Sequence, residues 1–128
     1  MTTPTHTLPE FGALPAWLRP HIRAIEDSKR AGFMFLYLPS LANLSALQGI
    51  LKANGAMDVY SAASTSDAVA ARYRLEDLET GRPRPLWHAH GSVTDVVREL
   101  MQLPPHGSKG APSLALPLPG ELWVPPYA

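Results

Sequence analysis

Residues 68–91 read AVAARYRLEDLETGRPRPLWHAHG, and the fold predicted from this sequence depends on how they pair. Residues 68–77 favour a strand, because Glu79-Thr80-Gly81 fits a three-residue hairpin loop with glycine at the left-handed position. Leu78 then pairs with Arg82, and the chain returns as a second, antiparallel strand. We therefore predict a β-hairpin over this stretch.

This pairing sorts the side chains of the hairpin onto two faces. Tyr73 lies opposite Trp87 on an apolar face, whereas Arg72 lies opposite His88 on a polar face. The polar face gathers three arginines and two histidines, namely Arg72, Arg74, Arg84, His88 and His90. A shift of one residue would mix the two faces, so this candidate surface depends on the register.

Apolar periodicity predicts the elements on either side of the hairpin. Before it lie a helix over 16–30, a central strand over 33–38 covered on both faces, a helix over 41–51 that Asn54-Gly55 closes, and a strand over 57–64. After the hairpin, Ser92 caps a last helix, which Pro104-Pro105 ends.

The element order α-β-α-β-β-β-α predicts an α+β domain, in which helices cover one face of a small, mostly antiparallel sheet. The folded body spans residues 14–103 and follows an extended arm over residues 1–13. Residues 104–128 form an extended, proline-rich C-terminal tail that holds seven of the 14 prolines. Because this tail is apolar, we expect it to pack on the domain or on a partner.

The overall composition excludes several classes of protein. Lys plus Arg and Asp plus Glu number 11 each, so the net charge is zero with histidine neutral, which argues against a protein that coats DNA. The absence of cysteine excludes disulfides and cysteine-ligated zinc. No stretch approaches the roughly 20 apolar residues that span a bilayer, and the N-terminus lacks a signal-peptide pattern. We expect a cytoplasmic protein with no membrane partner.

The sharpest chemical motif is Trp87-His88-Ala89-His90. His88 and His90 are two residues apart, so on a strand their imidazoles point to the same face. Their Cα atoms would then be about 7 Å apart. Such a pair can supply two ligands to a divalent metal such as zinc, which also needs a third ligand. Asp67, Asp95 and His106 are the candidates for that ligand. Two half-exposed histidines on a solvated hairpin explain the same motif without any metal.

The polar face and the tail are the candidate binding elements. Arginine and histidine side chains on one face could hold a phosphate or an acidic partner through charge-assisted hydrogen bonds. The tail either packs on its own domain, exchanges within a homodimer, or docks on another protein as an extended ligand. The predicted binding residues are Arg72, Arg74, Arg84, His88, His90 and Trp123.

These features predict a non-enzymatic binding module that needs no cofactor and recognises a protein or a second copy of the chain. No serine-nucleophile, phosphate-loop or dinucleotide-binding motif is present. The alternative is a small metal-dependent hydrolase centred on His88 and His90, with the arginines neutralising an anionic substrate. A nucleic-acid binder is the third hypothesis, which the predicted placement of Tyr73 and Trp87 away from the basic face disfavours.

Overall fold

The computed structural model describes residues 15–38, 46–81 and 83–116. Within these ranges the elements are α1 (Arg19–Arg30), β1 (Met34–Leu38), β2 (Ala46–Ala53), β3 (Ala56–Ser64), β4 (Asp67–Arg74), a 3-10 helix (Leu75–Thr80), β5 (Trp87–Gly91) and α2 (Val93–Gln102). The strands form one antiparallel sheet in the order β1-β2-β3-β4-β5. The predicted α+β class is confirmed, with both helices packed on one face of the sheet. In these ranges no helix has the length and apolar character needed to cross a bilayer.

Strand β2 replaces the helix predicted over 41–51, of which residues 41–45 lie outside the described part. It pairs with β1 on one side and with β3 on the other. Asn54 and Gly55 have φ angles of 55° and 83°, the left-handed conformation that a two-residue type I′ hairpin turn requires. The helix prediction was wrong because it took the leucine spacing as helical and the Asn-Gly pair as a helix end.

Strand β1 agrees with the strand predicted over 33–38 but lies at an edge of the sheet, not at its centre. Phe33 and Phe35 pack towards the helices, beside Tyr60. Met34, which points the other way, is 74% exposed. The uninterrupted apolar run therefore does not mark a strand covered on both faces, and that part of the prediction was wrong.

The side of the sheet on which α1 and α2 lie, called here the helix face, carries the larger core. Tyr60 is fully buried there, and its hydroxyl lies 2.7 Å from Ser28 Oγ. Because Ser28 Oγ donates its own proton to Ile25 O, the tyrosine is the donor, and the bond ties α1 to the sheet. Burial raises the pKa of Tyr60 to about 12, and the bond to Ser28 lowers it in part. From α2 the core receives Val93, Val96, Val97 and Leu100.

The opposite side of the sheet, called here the far face, is also buried at its centre. Its cluster consists of Met57, Val59, Ala71 and Tyr73, with Ile50 and the 3-10 helix residues Leu75 and Leu78 packed against it. The Tyr73 hydroxyl is buried without a hydrogen-bond partner among the described residues, and desolvation raises the pKa of Tyr73 to about 12. The expected division into one apolar and one polar face was therefore wrong.

The pairing of β4 with β5 differs from the prediction by one residue. Arg72 lies opposite Trp87, and Ala71 lies opposite His88. Trp87 thus joins the helix-face core, whereas Tyr73, its predicted partner, faces the other way. The arginine and the imidazoles that were predicted to share a face lie on opposite faces.

The shift has a structural cause in the connection between the two strands. Strand β4 ends at Arg74, and the 3-10 helix Leu75–Thr80 follows, ending at Gly81 with a φ of 85°. Glycine does adopt the left-handed conformation that was expected, but it ends a helix and does not close a tight hairpin. Because a connection this long does not fix the register, the packing of the side chains decides it.

The described part of the tail, residues 104–116, bonds to the sheet and to the segment before β5. Three hydrogen bonds hold it: Arg72 Nη1 donates to Pro104 O at 2.6 Å, Arg74 Nη2 to Ser113 O at 3.1 Å, and Leu116 N to Pro85 O at 2.8 Å. The residues beyond, which include Trp123, and the predicted arm over residues 1–13 lie outside the described part.

Candidate functional site

A pocket of about 200 Å³ lies between the helices and one end of the sheet. Its apolar wall comes from the ends of α1, β2 and α2 and the chain that follows α2: Ala31, Phe33, Leu51, Ala53, Leu100, Met101, Leu103 and Pro105. Four polar residues complete the lining, namely Asn54, Asp58, Arg72 and His106. We call this site the Asp58–Arg72 pocket.

The pocket takes its name from a buried ion pair. Asp58 on β3 and Arg72 on β4 are direct cross-strand partners on the helix face, 8% and 4% exposed. Arg72 Nε donates to Asp58 Oδ1 at 2.6 Å, and Arg72 Nη2 donates to Oδ2 at 3.0 Å. This fork fixes both side chains, because a bidentate pair is geometrically specific. Each charge neutralises the other, so the pair adds no net charge to the pocket.

Arg72 also positions the chain that follows α2. Its Nη1 donates to Pro104 O at 2.6 Å, which sets the start of the tail against the sheet. Pro105 and His106 then form part of the pocket wall. All three nitrogens of the guanidinium are engaged within the protein, so Arg72 shapes the site and is poorly placed to receive an outside anion.

His106 adds an imidazole to the lining of the pocket. Its Nδ1 is buried and has no hydrogen-bond partner in the part of the chain that the structure describes. The ring lies over the hairpin turn, where a Cβ added to Gly55 would meet His106 Cδ2 at 3.8 Å. A buried polar atom without a partner costs roughly 1–3 kcal/mol, so a hydrogen-bond donor that reached Nδ1 after a turn of the imidazole would recover that cost.

The structure disperses the arginines of the predicted polar face. Arg72 is buried in its ion pair on the helix face. Arg74, two residues further along β4, bonds to Ser113 O, and its Nη1 lies 3.4 Å from Asp77 Oδ2. Arg84 is exposed in the segment before β5. The three predicted cations therefore do not form one surface.

The two histidines lie together on the far-face side of the edge strand β5, and both are exposed. His90 Nε2 is 3.1 Å from Asp67 Oδ1, and these two side chains are 62% and 64% exposed. Of the other proposed third ligands, Asp95 lies on α2 and His106 lies in the pocket. Across residues 15–38, 46–81 and 83–116, no group of three His, Cys, Asp or Glu side chains could hold a metal ion.

The sequence carries a signal for the pocket that apolar periodicity alone does not reveal. Asp58 interrupts the apolar run of β3 between Met57 and Val59. A carboxylate in a buried strand needs a partner, because an unpaired buried charge is very costly. The arginine on the neighbouring strand was identified as a site residue, but it was assigned to the wrong face.

No protein-family model matches the chain, and neither curated proteins nor solved structures give a significant match. No relative therefore supplies a substrate, partner or cofactor, and function is inferred from the geometry of this chain.

Proposed function

We propose that this chain is a non-enzymatic binding module, and that the Asp58–Arg72 pocket receives one anchoring side chain of a protein partner. The observation that carries the proposal is the combination of apolar walls with the imidazole of His106, whose buried Nδ1 has no hydrogen-bond partner among the described residues. Both features belong to a concave site at the end of the sheet where β2 ends and β3 begins.

The size of the pocket favours a single side chain over a cofactor. Sites for drug-sized ligands and cofactors usually enclose about 300–1,000 Å³, whereas this pocket encloses about 200 Å³. Protein interfaces, by contrast, take most of their binding energy from a few aromatic or aliphatic anchors that fill small pockets.

The residues that line the pocket favour tryptophan or tyrosine as the partner's anchoring side chain. The Asp58–Arg72 pair is internally neutral, so a charged side chain would be desolvated without gaining a free counter-charge. The apolar walls suit an aromatic ring, and Nδ1 of His106 accepts a hydrogen bond when the ring carries its proton on Nε2. Tryptophan and tyrosine combine an apolar body with one N–H or O–H donor.

The test uses N-acetyl-tryptophanamide and N-acetyl-tyrosinamide as probes, followed by amide chemical shifts of the isotope-labelled protein. We expect saturable shifts confined to the pocket lining, at Leu51, Leu103 and His106, with a dissociation constant of about 1 mM. N-acetyl-glutamate should give no saturable shifts, because the described lining of the pocket offers no free cation.

Two matched variants decide whether the shifts report the pocket. Ala53→Leu adds a bulky side chain to an exposed strand residue that lines the pocket, and it should abolish the aromatic shifts. Ala63→Leu makes the same change at an exposed residue near the other end of β3, and it should leave binding unchanged. Equal binding by both variants, or no response to either aromatic probe, would refute the proposal.

A metal-dependent hydrolase remains the alternative proposal, supported by the contact between His90 and Asp67 beside His88. It lacks the anion-binding arginines that it was expected to have, because Arg72 and Arg74 are engaged elsewhere. Zinc analysis of protein purified without a histidine tag tests it, and a sub-stoichiometric content unchanged by His88→Ala would exclude it.

The remaining proposals concern partners and location. A nucleic-acid binder would require free cations and exposed aromatic rings, and Trp87 is instead packed in the helix-face core. Binding of a DNA oligonucleotide that weakens steeply with salt would support that hypothesis. A cytoplasmic location and a role for Trp123 and the tail in partner binding also stand as proposals.

A further inference from the structure

We propose that β5 pairs with β5 of a second copy of this chain, and that zinc joins the two copies through His90 of one and His88 of the partner subunit. Three observations on the edge strand carry this inference: its outer side, with which no strand of the described ranges pairs, its exposed His-x-His motif, and the carboxylate of Asp67 beside one imidazole.

The outer side of β5 is suited to pairing with another strand. Among the described residues, β4 is the neighbour on one side of β5, and no strand pairs with the other side. An edge of this kind presents a row of backbone N–H and C=O groups that a further strand can use. Most homo-oligomers are two-fold symmetric, which makes a second β5 in antiparallel orientation the simplest occupant.

Symmetry determines which side chains would meet. A two-fold axis at Ala89 places His90 directly opposite His88 of the partner subunit, on the same face of the extended sheet. Directly opposite residues of antiparallel strands have Cβ atoms about 4.5–5.5 Å apart. Two imidazoles at that separation can bind one metal ion.

One chain alone does not complete the site. His90 and Asp67 are in contact at 3.1 Å, but no third histidine, cysteine or acidic side chain within the described ranges joins a group that could hold a metal. The second copy adds the missing imidazole. The resulting ligands are two histidine nitrogens and one aspartate oxygen, a set that zinc binds with a water in the fourth position. The two-fold axis generates two equivalent sites, which is one zinc per chain.

Sedimentation equilibrium tests the proposal by measuring dissociation of the dimer of the full chain. The measurement is made in EDTA, in magnesium chloride and in zinc chloride. We expect zinc, and neither EDTA nor magnesium, to suppress dissociation of the dimer. At a zinc concentration about 100 times the dissociation constant for zinc, each site should lower dimer dissociation about 100-fold. Metal analysis of the dimer should give one zinc per chain. His88→Ala and His90→Ala should each abolish the effect, whereas Glu99→Gln, an exposed carboxylate on α2, should not.

A mixing experiment separates a shared site from chelation within one chain. A heterodimer of His88→Ala and His90→Ala keeps one complete site, because one chain supplies His90 and the other supplies His88. The mixture should therefore dimerise with one zinc per dimer, although neither variant does so alone. Both side chains are exposed, so circular dichroism of each variant should match the wild-type protein.

Three results would overturn the proposal: a wild-type chain that stays monomeric in zinc, zinc bound by the monomer, or a mixture that fails to dimerise. The site lies on the far-face side of the sheet, away from the Asp58–Arg72 pocket. Failure here would therefore leave the proposed side-chain anchor untouched, and failure of the aromatic probes would not affect this experiment.

Discussion

At the scale of single residues, the Asp58–Arg72 pair has the largest consequences for the site. It joins two neighbouring strands, bonds to the chain after α2 through Pro104 O, and lines the pocket. Desolvating two charges offsets much of their attraction, so the pair is weak evidence for high stability. Its role is to hold the pocket wall in one arrangement.

This role predicts an asymmetric response to mutation. Asp58→Ala leaves the guanidinium buried and unpaired and should lower the free energy of unfolding by about 3–5 kcal/mol. The double variant Asp58→Leu with Arg72→Met removes both charges and should recover most of that loss. Urea denaturation measures both changes. A double variant as unstable as Asp58→Ala would show that the hydrogen bond to Pro104, not charge burial, dominates.

Gly49 offers a second prediction at this scale. A Cβ added there would lie 2.7 Å from Tyr60 Cε2, closer than any normal contact, whereas a Cβ at Gly91 would lie 3.8 Å from Val96 Cγ1. Gly49→Ala should therefore destabilise the protein by about 1–3 kcal/mol. Gly91→Ala, a matched change in another strand, should have a much smaller effect in thermal unfolding. Similar losses in both variants would mean that Tyr60 moves aside easily.

At the scale of elements, α2 is anchored at its N-terminus by two side chains. Ser92 Oγ accepts a hydrogen bond from Asp95 N at 3.1 Å, as the sequence predicted. From α1, His21 Nδ1 accepts bonds from the backbone N–H and hydroxyl of Thr94, at 3.3 and 2.8 Å. The sequence did not indicate the second contact, because His21 is far from Thr94 along the chain. The bonds to His21 fix the start of α2 against α1, and the Ser92 cap satisfies a free N–H of the first turn of α2.

The cap predicts the effect of changing Ser92. Ser92→Ala should lower the free energy of unfolding by about 1 kcal/mol, because the first turn of α2 loses an acceptor. Ser92→Asp, which restores an acceptor, should stay close to the wild-type protein. Chemical denaturation gives the comparison, and equal losses in the two variants would show that the cap contributes little.

The strands show how far the sequence could predict the fold. The strand predicted over 57–64 agrees with β3, and the strand predicted over 68–77 covers most of β4, although the hairpin loop from which it was inferred is a 3-10 helix. The segment now seen as β2 has leucines at helical and strand-compatible spacing, and the Asn54-Gly55 turn resolves that ambiguity in favour of a hairpin. A correct reading of that pair would have predicted the full five-stranded sheet.

The candidate site was harder to predict, because it depends on contacts between distant parts of the chain. Arg72 was identified, but its face follows from a register that the long connection before β5 does not specify. Asp58 and His106 meet near it only after the sheet and the end of α2 are in place. His88 and His90 share a face as predicted, because that follows from local strand geometry alone.

At the scale of the whole molecule, two buried tyrosines make stability depend on alkaline pH. Burial raises the pKa of both Tyr60 and Tyr73 from 10.0 to about 12. Below pH 10 both rings are protonated in the folded and unfolded states, and their contribution is complete. Between about pH 10 and 12 the unfolded chain loses these protons first, so stability falls as pH rises.

The size of this loss follows from the shift in pKa. A pKa of about 12 in the folded state against 10.0 in the unfolded chain corresponds to a loss of about 2–3 kcal/mol in the free energy of unfolding for each tyrosine. Urea denaturation at increasing pH should show the decline, and replacing both tyrosines by phenylalanine should flatten it. A decline of the same size in the double variant would assign the pH dependence to other groups.

The register between β4 and β5 decides whether the paired histidines lie on the face opposite the Asp58–Arg72 pocket, which separates the two proposed sites. Cross-strand nuclear Overhauser effects between backbone protons of the labelled protein measure it directly. The structure predicts contacts that place Arg72 opposite Trp87 and Ala70 opposite Ala89. Contacts that place Tyr73 opposite Trp87 would put His88 and Arg72 on the same face and contradict this register.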